Sequence, residues 1–242
     1  MTPGRFRLII AAAALAAATA LPIGVSAQTP RGETAAPPPG EPAYRPPLRG
    51  APGGRVGGAS RGLFRAAAPL PTIEVLAPSD HAGLSANPTP SLFFFVSGPV
   101  RWPILFTISA AGRPAPVLEA RIPAPAAAGI YRVDVADYGV RLEPGTVYTW
   151  SVSAILDPQI RARDIVASAS LMLSAPDPAG TVASPTRRAA LYAGAGRWYD
   201  AVAAAVAAAP VDRHAALDAL LRQVGLAGLT AYDRQATALS AR

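Results

Sequence analysis

Hydrophobic and polar residues alternate with a period of two along much of the segment from residue 73 to residue 173. In the clearest stretch, Tyr131, Val133 and Val135 alternate with Arg132 and Asp134, which is typical of a strand with one buried face. Turn-forming residues separate such stretches, which lie at 73–76, 92–96, 104–108, 131–135, 148–153 and 166–173. Short strands without an intervening helical period predict a mainly β fold, with an antiparallel β-sandwich over residues 69–180.

The segment LEPGTVY, from Leu142 to Tyr148, gives the most specific turn signal. Proline fixes the first central φ of a type II turn and glycine accepts the positive φ of the second, so Pro144-Gly145 predicts that turn. Tyr148 then begins a strand, and we expect its hydroxyl to reach back to the backbone near the turn. The segment resembles the L-x-P-G-T-x-Y signature of fibronectin type III domains, which implies an immunoglobulin-like sandwich. The alternative is a β-hairpin with a core tyrosine.

The hydrophobic period changes after Gly180 and predicts a short C-terminal α-helical pair within residues 181–242. Ser184-Pro185 is a typical helix start, Gly194 and Gly196 are expected to kink or break the first helical segment, and Pro210 is expected to end it. Asp212 is expected to cap the second helix and Gly225 to end it. The apolar stripes of the two helices contain Trp198, Tyr199, Val202, Val206, Leu217, Leu220, Leu221 and Val224.

The first 68 residues predict a leader and a linker rather than a domain. Two arginines, an apolar run and the small residues before Gln28 are the layout of a secretory signal peptide over 1–27, although an uncleaved membrane anchor is the alternative. Residues 28–68 are rich in Pro, Gly and Arg and poor in large apolar side chains, so we expect a disordered linker there. The expected location is therefore the periplasm or the cell surface.

Composition removes several kinds of chemistry. The 242 residues include no Cys, and all 22 basic residues are Arg, which excludes thiolate zinc sites, thiol nucleophiles and lysine Schiff bases. The net charge of +7 comes from the two ends of the chain, since residues 69–180 carry seven Arg against nine acids. We therefore expect no nucleic-acid partner. The Arg-bearing linker is a candidate for weak contact with an anionic membrane or cell-wall surface.

Asp80-His81, beside Ser79, is the one adjacent acid and histidine pair in the sequence. A hydrolase would need Asp80 to orient His81, but we expect neighbouring residues on an extended turn to point apart. The sequence has no nucleophile-elbow motif, metal-ligand spacing or dinucleotide fingerprint, so we predict no catalytic residue, no metal site and no cofactor.

The aromatic residues point to a protein-binding surface rather than to a catalytic site. Phe93 and Phe95 lie on the strand face opposite Leu92, Phe94 and Val96, and something must cover them. One alternative is the C-terminal helical pair. The other is an exposed patch that binds a protein partner and contains Phe93, Phe95, Trp102, Arg197, Trp198 and Tyr199.

Several segments, taken in order, resemble a bacterial family of exported proteins catalogued as domain of unknown function 928. They are PTIEVLAP (71–78), PTPSLFFFVSGP (88–99), GIYRV (129–133), LEPGTVYTWSV (142–152), RWYDAVAAA (197–205) and LLRQVGLAGL (220–229). The resemblance implies export and supplies no activity, cofactor or catalytic residue. We therefore expect a non-catalytic binding or adaptor module whose partner is another envelope protein. The alternatives are a hydrolase acting on envelope glycans or esters and a module that binds anionic polymers through its linker.

Overall fold

In the part of the chain that the structure describes, two β-sheets and three α-helices build the fold. The computed structural model describes residues 41–47, 53–58, 70–174, 177–232 and 237–238. Its strands are β1 (Ile73–Val75), β2 (Gly83–Ser85), β3 (Ser91–Val96), β4 (Ile104–Ala110), β5 (Leu118–Ile122), β6 (Gly129–Asp134), β7 (Val147–Ala154), β8 (Ile165–Leu173) and β9 (Thr237–Ala238). Its helices are α1 (Pro185–Gly194), α2 (Trp198–Val206) and α3 (Pro210–Gln223), and a 3-10 helix follows at Ala227–Tyr232.

One sheet has the order β1-β3-β6-β9 and the other has the order β2-β8-β7-β4-β5. The pairings are antiparallel except β2 with β8 and β6 with β9, which are parallel. The period of two explains the longer strands, because buried and partly exposed residues alternate along all of β4 and β8. The prediction of a mainly β fold followed by helices is confirmed.

Strand β3 departs from the alternation, since Leu92–Val96 are buried on both of its faces. The C-terminal region covers the second face: α2 lies against β2 and β3, and the ring of Phe95 contacts the ring of Tyr232 with centroids 4.9 Å apart. A strand covered on both sides reads as a continuous apolar run, as in SLFFFV.

The helical region contains three α-helices in its described residues, so the predicted pair was wrong in number. The first helix starts as predicted, with the Ser184 hydroxyl accepting a hydrogen bond from the Arg187 N–H. The expected break at Gly194 and Gly196 is confirmed: α1 ends at Gly194, and Gly196 adopts a φ of 72°, which breaks the helical path before Trp198. Asp212 is not the cap of the last helix, because proline at the first position already starts α3 at Pro210.

Hydrogen bonds in the interior join α2 to both sheets. The indole N–H of Trp150 in β7 donates to the Tyr199 hydroxyl over 2.8 Å, and that hydroxyl donates to the Ser170 carbonyl of β8 over 2.9 Å. The indole N–H of Trp198 donates to the Leu76 carbonyl, just after β1, over 2.8 Å. These polar tips are buried and satisfied, so sheets and helices share one core.

The predicted turn before β7 has the expected local geometry. Gly145 adopts a φ of 77°, and the backbone N–H of Glu143 donates to the buried Tyr148 hydroxyl over 2.9 Å. The tyrosine therefore fixes the turn to the start of its own strand.

Two described parts of the predicted linker are packed against the fold, which corrects that prediction for residues 41–47 and 53–58. We call residues 41–47 the strap and residues 53–58 the bridging segment. In the bridging segment, Val56 exchanges backbone hydrogen bonds with Ser168 of β8, and the Gly58 N–H donates to the Ile73 carbonyl of β1. The predicted signal peptide and the rest of the linker lie outside the described residues.

Candidate ligand-binding pocket

The strap, the turn after β1 and the end of α3 enclose a pocket of about 290 Å³. These three chain segments are far apart in sequence, and the fold brings them together because the strap lies along the helical region. The backbone N–H of Arg45 donates to the Ala193 carbonyl at the end of α1 over 3.0 Å. The pocket is lined by Tyr44, Pro46, Ser79, Asp80, His81, Gln223, Val224 and Gly225.

Three of the lining side chains are hydrogen-bonded in series. Asp80 Oδ1 lies 2.7 Å from His81 Nδ1, and His81 Nε2 lies 2.7 Å from the Tyr44 hydroxyl. The expectation that Asp80 and His81 point apart was wrong, because the backbone bends at Ser79 and Asp80 and lets the carboxylate turn back to the ring. We call Asp80, His81 and Tyr44 the relay.

Packing and backbone contacts hold Tyr44 in place. Its ring lies nearly parallel to the His81 ring, with centroids 5.8 Å apart and 9° between the planes, and the edge-on ring of Trp198 lies 5.0 Å away. The Gln223 side chain fixes the strap: its Oε1 accepts from the Tyr44 backbone N–H over 2.8 Å, and its Nε2 donates to the Pro42 and Ala219 carbonyls. The strap is therefore part of the pocket wall.

The environment of Tyr44 keeps its hydroxyl protonated. Burial, with a smaller contribution from the Asp80 carboxylate, raises the pKa of Tyr44 well above its usual value. The hydroxyl therefore keeps its proton and shares a hydrogen bond with His81 Nε2, while His81 Nδ1 shares one with Asp80 Oδ1. The exposed end of the relay is Asp80, whose side chain is 83% exposed, whereas the His81 side chain is 15% exposed.

Asp200 is a buried acid whose hydrogen bonds connect α2 to the end of β2. Asp200 in α2 accepts from the Ser85 hydroxyl over 2.7 Å and from the Ala86 N–H over 2.6 Å, which ties α2 to the end of β2. Burial raises the pKa of Asp200, and these hydrogen bonds and the nearby Arg197 oppose that increase.

The structure places most of the predicted protein-binding surface in the interior. Phe93, Phe95, Arg197, Trp198 and Tyr199 are buried, and Trp102 is half-buried against the core. The physical reason is that Trp198 and Tyr199 satisfy their polar tips inside the fold while α2 covers β3. A patch made of these six side chains is therefore not exposed in this structure.

Sequence reasoning missed Tyr44 and Gln223. Tyr44 lies in a stretch whose Pro and Gly content predicts disorder, and its one signal was a large aromatic ring between Pro42 and Pro46. Gln223 lies at the end of α3, 179 positions from Tyr44, and no local pattern reports such a contact.

The fold and the pocket define a class: a mainly β protein with C-terminal helices and a polar pocket where strap, turn and helix end meet. The chain belongs to the family described as Domain of Unknown Function (DUF928), whose model matches residues 56–233 and so confirms the resemblance seen in the sequence. No curated protein and no solved structure matches the chain.

Among the residues that the structure describes, none of the helices has the length and hydrophobicity of a membrane span. Nor do those residues contain a group of three or more His, Asp or Glu side chains placed to hold a metal ion.

Proposed function

We propose that the protein is a binding module of the cell envelope and that the pocket between strap, turn and α3 is where it binds. The observation that carries this proposal is the construction of the pocket, in which three remote chain segments are fixed by the relay and by Gln223. Preformed concave sites with a few oriented polar groups are the usual form of ligand sites. The envelope location depends on the signal-like pattern of residues 1–27.

We further propose that the two sheets form an immunoglobulin-like sandwich. Strands β1, β3 and β6 share one sheet, while β4, β7 and β8 share the other. That division matches strands A, B and E against strands C, F and G of immunoglobulin domains. The hydrogen bond between Glu143 and the Tyr148 hydroxyl supports this assignment. A solved structure in which the two sheets do not face each other would contradict it.

A crosslinking experiment in intact cells tests the binding proposal. A photoreactive amino acid is introduced at Pro46, an exposed residue of the pocket rim, and in parallel at the exposed Val211 of α3 as the control position. We expect one repeated adduct from Pro46 that Val211 does not give and that Tyr44→Ala weakens. Equal adducts from both positions, or none from either, would contradict the proposal.

A hydrolase is the second candidate, and the Asp80 to His81 hydrogen bond is the observation that favours it. Asp80 orients the imidazole as a catalytic acid orients a general base, but the partner of His81 Nε2 is the Tyr44 hydroxyl rather than Ser79. Hydrolysis of p-nitrophenyl acetate by the purified protein, lost in His81→Ala and kept in the exposed-loop variant Gln159→Ala, would replace the binding proposal with this one.

Binding of anionic polymers through the Arg-bearing linker is the weaker alternative. Most of that linker lies outside the described residues. Of its described arginines, Arg55 turns towards the fold, where it lies 3.8 Å from the Glu74 carboxylate and donates to the Ala77 carbonyl. Its charge is thereby already partly matched within the protein.

A further inference from the structure

We infer that the pocket binds a cationic group, an alkylammonium or a guanidinium, presented either by a free amine or by a Lys or Arg side chain of a partner. This inference rests on the proposed function, since it names the chemical class that the same pocket would take. It follows from three properties of the lining: its supply of hydrogen-bond acceptors, its charge and its size.

The relay leaves the pocket rich in acceptors. The Tyr44 hydroxyl and His81 Nε2 share one hydrogen bond, and His81 Nδ1 and Asp80 Oδ1 share another, so these atoms are engaged inside the relay. Both donors of the Gln223 amide are used by the Pro42 and Ala219 carbonyls. What remains is the second carboxylate oxygen of Asp80, lone pairs on the Tyr44 hydroxyl and on Gln223 Oε1, and the Ser79 hydroxyl, which can donate or accept. A ligand that complements the acceptors among these groups brings N–H donors.

The lining also carries negative charge, which favours a cationic ligand. Asp80 is the one acid among the eight lining residues, which include no Arg. Helix α3 ends at this pocket, and the carbonyl end of a helix carries partial negative charge. The neighbouring Arg222 is paired with Glu41 at 3.3 Å and with Asp218 at 3.1 Å, so its charge is matched by two acids. The exposed Arg45 of the strap is the opposing charge nearby.

The size of the pocket limits what enters it. A volume of about 290 Å³ corresponds to roughly ten water molecules at the density of the liquid. That volume suits one amino-acid side chain or a small amine and excludes a folded element. A guanidinium or ammonium group would reach Asp80 near the opening, with its aliphatic stem beside Pro46 and Val224.

Amide NMR titrations of the purified protein test the inference with defined probes. N-acetyl-arginine methylamide and N-acetyl-lysine methylamide are the cations, and N-acetyl-citrulline methylamide is the neutral control of nearly the same shape. We expect saturable shifts of the amides of Tyr44, Arg45 and Gly225 with the two cations and none with the citrulline compound. Butylguanidine, a cation of the same single charge without the peptide frame, separates the sources: binding at least equal to that of blocked arginine indicates a free small cation, and weaker binding indicates a partner side chain.

Substitutions at Asp80 and at control positions test whether the Asp80 carboxylate binds the cation. Asp80→Asn is expected to weaken binding of blocked arginine about threefold to tenfold, because an exposed carboxylate contributes modestly. Asp212→Asn, an exposed acid in the first turn of α3, should leave the affinity unchanged. Arg45→Gln should strengthen it, and added salt should weaken it. Amide spectra of each variant that match the parent show that the fold is intact.

Equal binding of the citrulline compound, no shift with any cation, or an unchanged affinity in Asp80→Asn would each overturn the inference. These failures are separate from failure of the proposed function. A pocket that crosslinks a partner from Pro46 but ignores cations keeps its binding role and loses its assigned ligand class.

Discussion

The hydroxyl group of Tyr199 should be a major single contribution to the stability of the fold. It accepts from the Trp150 indole N–H over 2.8 Å and donates to the Ser170 carbonyl over 2.9 Å, and Tyr199 is 1% exposed. Tyr199→Phe keeps the ring and removes the atom that bonds to both groups. The buried Trp150 N–H left without this partner costs about 1–3 kcal/mol, and the lost bond to the Ser170 carbonyl costs about 0.5–1.5 kcal/mol. The expected loss in the free energy of unfolding is therefore about 2–4 kcal/mol.

Urea denaturation followed by tryptophan fluorescence measures this loss directly. We expect a lower midpoint with an unchanged m-value, because the variant removes interactions without changing the surface exposed on unfolding. Tyr232→Phe is the matched control: Tyr232 is 42% exposed, so its hydroxyl can be hydrated, and the change should stay within about 0.5 kcal/mol. If the two variants lose the same stability, the hydrogen-bonded link between α2 and the sheets does not have the energetic role assigned to it.

Three further outcomes follow from close contacts in the same structure. Gly83→Ala should destabilise the fold by about 1–3 kcal/mol in urea denaturation, because its Cβ would lie 2.6 Å from the Tyr199 ring, whereas Gly98→Ala meets nothing within 4 Å and should be neutral. Burial raises the pKa of Asp200, so this side chain stabilises the folded state below the ordinary aspartate pKa, and that stabilisation is lost as pH rises through the pKa of the folded state. The free energy of unfolding of the parent relative to Asp200→Asn should therefore fall over that pH range. A difference that does not change with pH would refute this. Gln223→Ala should increase hydrogen exchange in the strap about tenfold or more while the thermal midpoint changes little, and unchanged exchange would mean that other contacts fix the strap.

The longer strands were predictable because the residue pattern within each strand shows which of its side chains are buried. A period of two over six or more residues distinguishes inward from outward positions, as in β4, β7 and β8. Strands β2 and β9 have three and two residues, too few to show a period, and both pair in parallel with strands that are distant in sequence. The local pattern therefore gave no indication of either.

The pocket was less predictable than the fold, for a related reason. Asp80 and His81 were recognised as neighbours, but their hydrogen bond depends on a backbone bend that the residue types do not specify. Tyr44 lies in a Pro-rich stretch that lacks a core of its own, and its burial is supplied by His81, Trp198 and Gln223 from other parts of the chain. Composition describes what a segment can do alone, and the strap is ordered by what surrounds it.

The bridging segment has a consequence for behaviour at high concentration. Strand β1 is the edge strand of its sheet. In the other sheet, β2 pairs with β8 from Leu171 to Leu173, so the preceding residues of β8 have an edge that β2 does not cover. Unpaired margins of sheets are templates for association between molecules. Val56 and Gly58 hydrogen-bond to backbone groups on these two edges, of β8 and of β1, and so shield the protein from self-association. A chain shortened to start at residue 69 would uncover these groups, and light scattering should then detect aggregates that the longer chain does not form.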